Sequence, residues 1–386
     1  MLTKEQINRF ITDDKASPQK RMARVGQRYY EGNHDIKSYR MYYFDANGNL
    51  VEDKTRANIR ISHPFFTELV DQEVQYMLSG KGGFAKSDRP ELQAKLDEYF
   101  NDDEDFTAEL YDALTDCVSM GFGYLYAYQS AEGRTKFQCA DAMGVVEVRE
   151  RETDDAAQYV IYWYVDRLDD QGNRIKKIQV WDDKQAYYYE QENDGEIVED
   201  ADAKMNPRPH IVYKEGEALY GDDYGMIPFF RIDNNRKRLS GLHPIKELID
   251  DYDLMSCGLS NNLQDMAEAL YVVSGFKGDN LDELITNIKQ KKHIGVDEHG
   301  GVDIKTIDIP HEARKTKLEL DEKNIYRFGM GFNSAQIGDG NITNIVIKSR
   351  YALLDLKCNK LEIRLRQLMR RLVGVVLNEI NEAEGT

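Results

Sequence analysis

From Pro310 to the C-terminus, two helix-forming segments flank a short break of small and polar residues, Asn333-Ser334-Ala335-Gln336-Ile337-Gly338-Asp339-Gly340-Asn341-Ile342-Thr343-Asn344. The second segment is unusually long. Its apolar residues fall at Ile347, Tyr351, Leu354, Cys358, Leu361, Leu365, Leu368, Leu372 and Val375, in steps of four and three that keep one narrow stripe on one face for about four heptads. Such a stripe asks for a partner helix. At 1.5 Å per residue, a helix from Asn344 onward predicts a rod of about 60 Å, longer than a small domain is wide. It must lean on other elements or on other subunits.

The rest of the chain is that of a folded, soluble protein. Its 386 residues allow two or three compact units, and 41% apolar content is enough for real cores. No run of eighteen or more apolar residues exists, which excludes a spanning helix, and the N-terminal Met1-Leu2-Thr3-Lys4-Glu5-Gln6 has no apolar signal core, so a cytosolic product is expected. Cys117, Cys139, Cys257 and Cys358 are scattered through apolar patterns without a Cys-x-x-Cys pair and read as buried free thiols. The formal net charge of −18 weighs against a protein that grips nucleic acid by neutralising phosphates.

Local signals place the elements. Thr3-Lys4-Glu5-Gln6 has capping-box spacing, and Ser17-Pro18 is a cap followed by proline at the first helical position; the helix it opens is expected to run to Tyr30. A polar hairpin is expected around Asp45-Ala46-Asn47-Gly48-Asn49, then helices from Pro64 to Gly80, Pro90 to Phe100 and Phe106 to Met120. From Tyr124 to Ile232 β-branched and aromatic residues dominate, with strands expected at 135–139, 144–150, 158–167, 175–182, 185–190 and 209–213 and a solvated acidic loop from Glu190 to Lys204. From Pro244 the period is helical again, through Ile245, Leu248, Tyr252, Met255, Leu259, Leu263, Met266 and Leu270. A small αβ insertion follows: a helix capped by Asp279-Asn280, then two strands around a Gly300-Gly301 turn. A helix from Pro310 to Phe328 leads to the break.

Few of these residues suggest chemistry. Gly80-Lys81-Gly82-Gly83-Phe84-Ala85-Lys86-Ser87 falls one glycine short of a P-loop, and a helix rather than a buried strand precedes it. His293, Asp297, Glu298 and His299 lack the tight zinc spacings and read as a polar turn, and the sequon Asn341-Ile342-Thr343 reads as incidental. No nucleophile elbow, His-Glu-x-x-His motif or paired carboxylates in an apolar cleft mark a catalyst. The basic residues Lys348, Arg350, Lys357, Lys360, Arg364, Arg366, Arg370 and Arg371 of the long helix could face DNA; packing or intersubunit salt bridges suit an acidic chain better.

Several short segments, in order and spacing, resemble one family. They are Tyr29-Tyr30-Glu31-Gly32-Asn33-His34-Asp35-Ile36, Val70-Asp71-Gln72-Glu73-Val74-Gln75-Tyr76, Gly121-Phe122-Gly123-Tyr124-Leu125-Tyr126, and Ile227-Pro228-Phe229-Phe230 with Asn234-Asn235. Further along come Leu248-Ile249-Asp250-Asp251-Tyr252-Asp253 with Ser260-Asn261-Asn262-Leu263, and Gly338-Asp339-Gly340-Asn341. Across its whole length the chain resembles the SPP1-type portal proteins of tailed bacteriophages and prophages.

The resemblance implies an α+β portal fold: a mixed αβ wing over 1–240, stem helices over 241–270 and 310–332, and a small αβ clip over 271–309. A tunnel loop over 333–344 and a long helix over 345–386 toward a reduced or absent crown complete it. It implies a homo-oligomeric ring, dodecameric in the particle, at one vertex of the virion capsid after assembly in the host cytoplasm. Double-stranded DNA passes through the channel without sequence specificity. The partners are terminase, the head-tail adaptor and the major capsid or scaffold protein, with no membrane, cofactor, metal or catalytic residue. The loop residues implied to face DNA are Asn333, Gln336, Gly338, Asp339, Gly340, Asn341, Thr343 and Asn344. Lys277, Lys289, Lys291 and Lys292 mark the implied docking surface of the clip. A coiled-coil assembly protein without a channel is the other reading, since the heptad stripe alone would satisfy it.

Overall fold

A computed structural model describes the chain except for residues 46, 55, 81–82, 152–153, 155, 216–217, 266–269, 277–294, 306–310, 334–343 and 385–386. Helices α1 (Lys4–Lys15) and α2 (Pro18–Tyr30) precede a hairpin of β1 (Tyr42–Phe44) and β2 (Leu50–Glu52). Then come α3 (Phe65–Leu78), α4 (Pro90–Leu96), which runs into a π turn, and α5 (Glu104–Met120). The β-rich region holds β3 (Phe122–Gln129), β4 (Thr135–Ala140), β5 (Val145–Val148), β6 (Tyr159–Leu168), β7 (Arg174–Trp181), β8 (Gln185–Glu192) and β9 (Ile197–Glu199). It continues with β10 (Arg208–Pro209), β11 (Ile211–Glu215), β12 (Ala218–Asp222) and β13 (Phe229–Asp233). Helix α6 (Lys246–Asp265), strands β14 (Leu270–Phe276) and β15 (Val296–Lys305), and helices α7 (His311–Gly329) and α8 (Asn344–Glu384) complete the chain. The fold is α+β, and among the described residues no helix is long and apolar enough to cross a membrane.

The predicted caps form. Thr3 Oγ1 accepts from the Gln6 amide at 3.3 Å while Gln6 Oε1 accepts from the Thr3 amide at 2.9 Å, and Ser17 Oγ accepts from the Lys20 amide at 3.2 Å. Each removes an orphan donor that water would otherwise have to satisfy.

The chain forms two compact units, one of residues 1–33, 64–246 and 324–386, the other of 34–63 and 247–323. In the first, strands β13-β3-β4 make one antiparallel sheet and β10-β8-β7-β6-β5, with β9 on β8, make a larger one. Strand alternation gives the larger sheet two apolar faces. Val160 packs with Phe122, Tyr124, Val145 and Trp181, while its neighbour Ile161 packs with Ile178, Val180 and Tyr189 against Ile7 and Ile11 of α1. The other face of the small sheet meets α5 so closely that a Cβ on Gly123 would lie 2.1 Å from the Ala113 carbonyl oxygen. Gly121 ends α5 at φ +102°, a left-handed cap that side chains disfavour.

Helix α8 is 41 residues long, as the stripe foretold. Leu354, Cys358, Leu361, Leu365, Leu368, Leu372 and Val375 are all buried, and α3 and β13 of the same unit are the elements α8 packs on. The stripe therefore finds its partners within the chain. Leu356 and Ile363, on the opposite face of α8, and Leu353 on its flank, are exposed.

Three local expectations are corrected. The tract Glu190 to Lys204 is not all solvated loop, because Ile197 is buried and opens β9, which pairs with β8. Leu270 continues no helix but starts β14. Gly300-Gly301 is not a turn between strands; it lies inside β15, whose register with β14 shifts between Ser274 and Phe276.

In the second unit a buried carboxylate ties separate segments together. Asp253 on α6 accepts from His34 Nδ1 at 2.6 Å and from His63 Nδ1 and the His63 amide at 2.7 and 2.9 Å. Asn261 Oδ1, two turns along α6, accepts from the Ile59 amide at 2.6 Å. Burial alone would raise the Asp253 pKa, but the hydrogen bonds from His34 and His63 outweigh it and hold the group below the ordinary value. A depressed folded pKa contributes stability above the unfolded value of about 3.9 that is lost as pH falls through the folded value. Asp253→Ala is expected to cost about 3–5 kcal/mol in denaturant melts, by removing the buried acceptor that His34 and His63 share. That loss should shrink below about pH 4 as the wild-type carboxylate protonates.

Candidate functional site at the seat of the loop between the last two helices

The break between α7 and α8 starts and ends on one helix, α3. Helix α7 closes with Met330 at φ +56°, and a Cβ on Gly331 would come 2.0 Å from Leu69, so the chain turns hard against α3 there. The Gln72 side chain then clamps the next residue at both backbone groups. Its Nε2 donates to the Phe332 carbonyl at 2.7 Å and its Oε1 accepts from the Phe332 amide at 2.9 Å, as a neighbouring strand would. One turn earlier, Tyr326 donates to Glu68 at 2.5 Å.

The returning chain is fixed on the same surface. The Phe332 ring stacks on Tyr351 of α8 at 4.9 Å, and Tyr351 stacks on Tyr76 of α3 at 6.3 Å. Tyr76 donates to Asp355, and that hydrogen bond, followed by burial, pushes its pKa up to about 12. Lys357 pairs at 2.8 Å with Glu73, which is only 1% exposed. Burial, then Glu73, pushes the Cys358 thiol up to about 12, so it is a packing group and not a nucleophile at neutral pH.

Sequence reasoning missed Gln72, Glu73, Tyr76, Phe332 and Asp355 as a group. Gln72 and Glu73 stand beside buried Leu69, Val70 and Val74 on an otherwise apolar helix face, and that misplacement was the available signal. Of the residues expected to face a channel, Asn333 is buried beside the Phe332 clamp and Asn344 is the first residue of α8. Gln336, Gly338, Asp339, Gly340, Asn341 and Thr343 lie outside the described residues, as do Lys277, Lys289, Lys291 and Lys292.

Two other features that suggest ligands are already satisfied internally. In the Gly80–Ser87 stretch, the amides of Phe84 and Ala85 donate to Asn101 Oδ1 at 2.6 and 3.2 Å, and the Ser87 amide donates to Gln93 Oε1 at 2.6 Å. A phosphate cradle would need those amides. Glu190, Asp200 and Asp202 converge closely enough for a metal, but Lys177 Nζ sits among them at 2.8, 2.7 and 3.4 Å.

The family described as phage portal protein, SPP1 Gp6-like, matches residues 11–385. The chain belongs to that family. It is 28% identical over 348 residues to the portal protein of Bacillus phage SPP1, an alignment covering 89% of this chain and 67% of the relative. It is 25% identical over 394 residues to the portal protein of Clostridium phage phiCD119, covering 97% and 82%. Three of the segments that carried the resemblance in the sequence supply tertiary contacts. Asp71 accepts from Tyr30 at 3.0 Å, Gln72 clamps Phe332, Glu73 pairs with Lys357, and Asn234 and Asn235 both donate to the Leu239 carbonyl, at 3.0 and 2.7 Å.

Gln72→Ala removes both bonds to Phe332 and should cost about 1–3 kcal/mol. Hydrogen exchange at the Phe332 amide is expected to quicken while that of the β6–β7 ladder stays unchanged.

Proposed function

We propose that this portal-family chain closes, in many copies, into a dodecameric ring at one capsid vertex, through which double-stranded DNA enters and leaves the virion. The observation that carries this reading is the family match over residues 11–385. In this reading 1–240 form the wing, α6 and α7 the stem, and the β14–β15 hairpin with the residues between them the clip. Terminase and the head-tail adaptor dock on the clip through Lys277, Lys289, Lys291 and Lys292, and the capsid or scaffold protein meets the wing. The part is structural and not catalytic.

The channel mechanism follows from charge and anchoring. Each neutralised phosphate adds affinity and hence drag, so a conduit for a polyanion should avoid basic walls; a subunit with net charge −18 suits that need. The loop 333–344 is small, neutral and glycine-containing, with a single Asp339 to repel phosphate. Its feet are held on α3 by Gln72 and by the Phe332–Tyr351–Tyr76 stack, so that motion of the loop would not loosen the subunit. Burial of the α8 stripe on α3 and β13 disfavours the coiled-coil rod, which would need that stripe for another chain.

Electron microscopy of the purified protein should show closed rings with a central hole; rods would overturn the reading. In a packaging assay, Gly338→Pro and Asp339→Lys are each expected to lower DNA-filled particles several-fold without changing ring formation. Wild-type filling and retention in both would remove the loop from the mechanism.

A further inference from the structure

Two surfaces of opposite sign lie at opposite edges of the β13-β3-β4 sheet. At the β13 edge, α8 carries Arg364, Arg370 and Arg371 along an open cavity of about 1170 Å³ that Glu147, Asp182, Asp183 and Asp233 also line, Asp182 accepting from the amides of Lys184 and Gln185. The Arg371 guanidinium lies 5.8 Å from the Phe230 ring centre and donates to the Arg231 carbonyl at 2.7 Å. Among the described residues, neither Arg364 nor Arg370 joins an ion pair; Glu147 and Asp233 in the same cavity are taken by Arg149 and Arg231. The outer face of α8 carries the exposed Leu356 and Ile363, with the exposed Leu353 on its flank.

At the β4 edge, α5 exposes Asp112, Asp141 directly after β4 is exposed as well, and Asp116 of α5 lies largely buried near both. None of the three joins an ion pair among the described residues. Burial, then Asp141 and Asp112, pushes the Asp116 carboxyl up to about 7. Like charges crowd one another here, and the cation that acts on Asp141, Lys20, is buried and paired with Asp14 at 3.2 Å.

We propose that these surfaces meet between copies: the outer face of α8, with Arg364 and Arg370, docks on the exposed Asp112 and Asp141 of the next copy of this chain. The inference rests on the ring reading and names the contact that would build it. Charge complementarity selects a second copy as occupant, because among the described residues Arg364 and Arg370 have no carboxylate, and Asp112 and Asp141 no cation, within ion-pair distance. Different patches on opposite edges of one sheet make a heterologous contact, the kind that repeats around an axis and closes a ring. The exposed leucines and isoleucine of α8 supply apolar area beside the ion pairs.

Charge reversal tests this with a built-in control for folding. Arg364→Glu with Arg370→Glu makes both surfaces of one chain acidic; Asp112→Lys with Asp141→Lys makes both surfaces of another basic. Each variant alone is expected to need at least about tenfold more protein to form rings than wild type, measured by mass photometry. Mixed in equal amounts, they should form rings of alternating subunits, since each then offers the charge its neighbour lacks. Wild-type assembly of either variant alone, or no assembly of the mixture when both melt as wild type does, overturns the proposal. So does normal ring formation with lowered DNA retention in the arginine variant, which would assign the basic face to DNA. If wild type forms no ring but the mixture yields heterodimers, the ring reading fails and the contact stands; if neither associates, both fall.

Discussion

The seam between α3 and α8 is the contact on which the loop seat depends. Burying Leu354, Cys358, Leu361, Leu365 and Leu368 removes five side chains from water on one line, at about 1.5–3 kcal/mol for each fully buried leucine. That gain holds α8 where Tyr351, Asp355 and Lys357 can reach α3. Without it, Glu73 would be a buried carboxylate with no cation. The polar contacts at the seat set position; the apolar seam supplies the energy.

How much of this was readable in the sequence depends on how local the cause was. Caps such as Thr3 and Ser17 act within three residues, and their helices lay where the spacing put them. The stripe of α8 was equally plain, because a 3.5-residue repeat sustained over several turns fits little but a helix packed along one face. Which element would cover the stripe was not readable, since a stripe states only that something apolar lies opposite. The Gln72 clamp was invisible for a related reason: its partner Phe332 is 260 residues away, and one glutamine on an apolar face does not name its acceptor. Gly300-Gly301 misled because paired glycines usually turn a chain, whereas here they sit in a strand beside a register shift.

Charge is distributed in a way that its sum conceals. A net −18 coexists with Arg364 and Arg370 of α8, which join no ion pair among the described residues, and with Asp112, Asp116 and Asp141, which act on one another near α5. An isolated globular protein gains nothing from either. A subunit whose neighbours are copies of itself can use each to answer the other, and can do so while the bulk of its surface still repels a polyanion.

The node at Asp253 has a consequence for biosynthesis. His34 emerges from the ribosome 219 residues ahead of its carboxylate. At about 5–20 residues per second, the early segment waits roughly ten to forty seconds for its partner. The second unit, whose two chain pieces flank residues 64–246 of the first in sequence, can therefore close only after most of the first has been made. Translation imposes a sequence of events in which the sheets settle before the histidines are captured, and a nascent chain stalled before α6 would carry an open, histidine-bearing strand exposed to its surroundings.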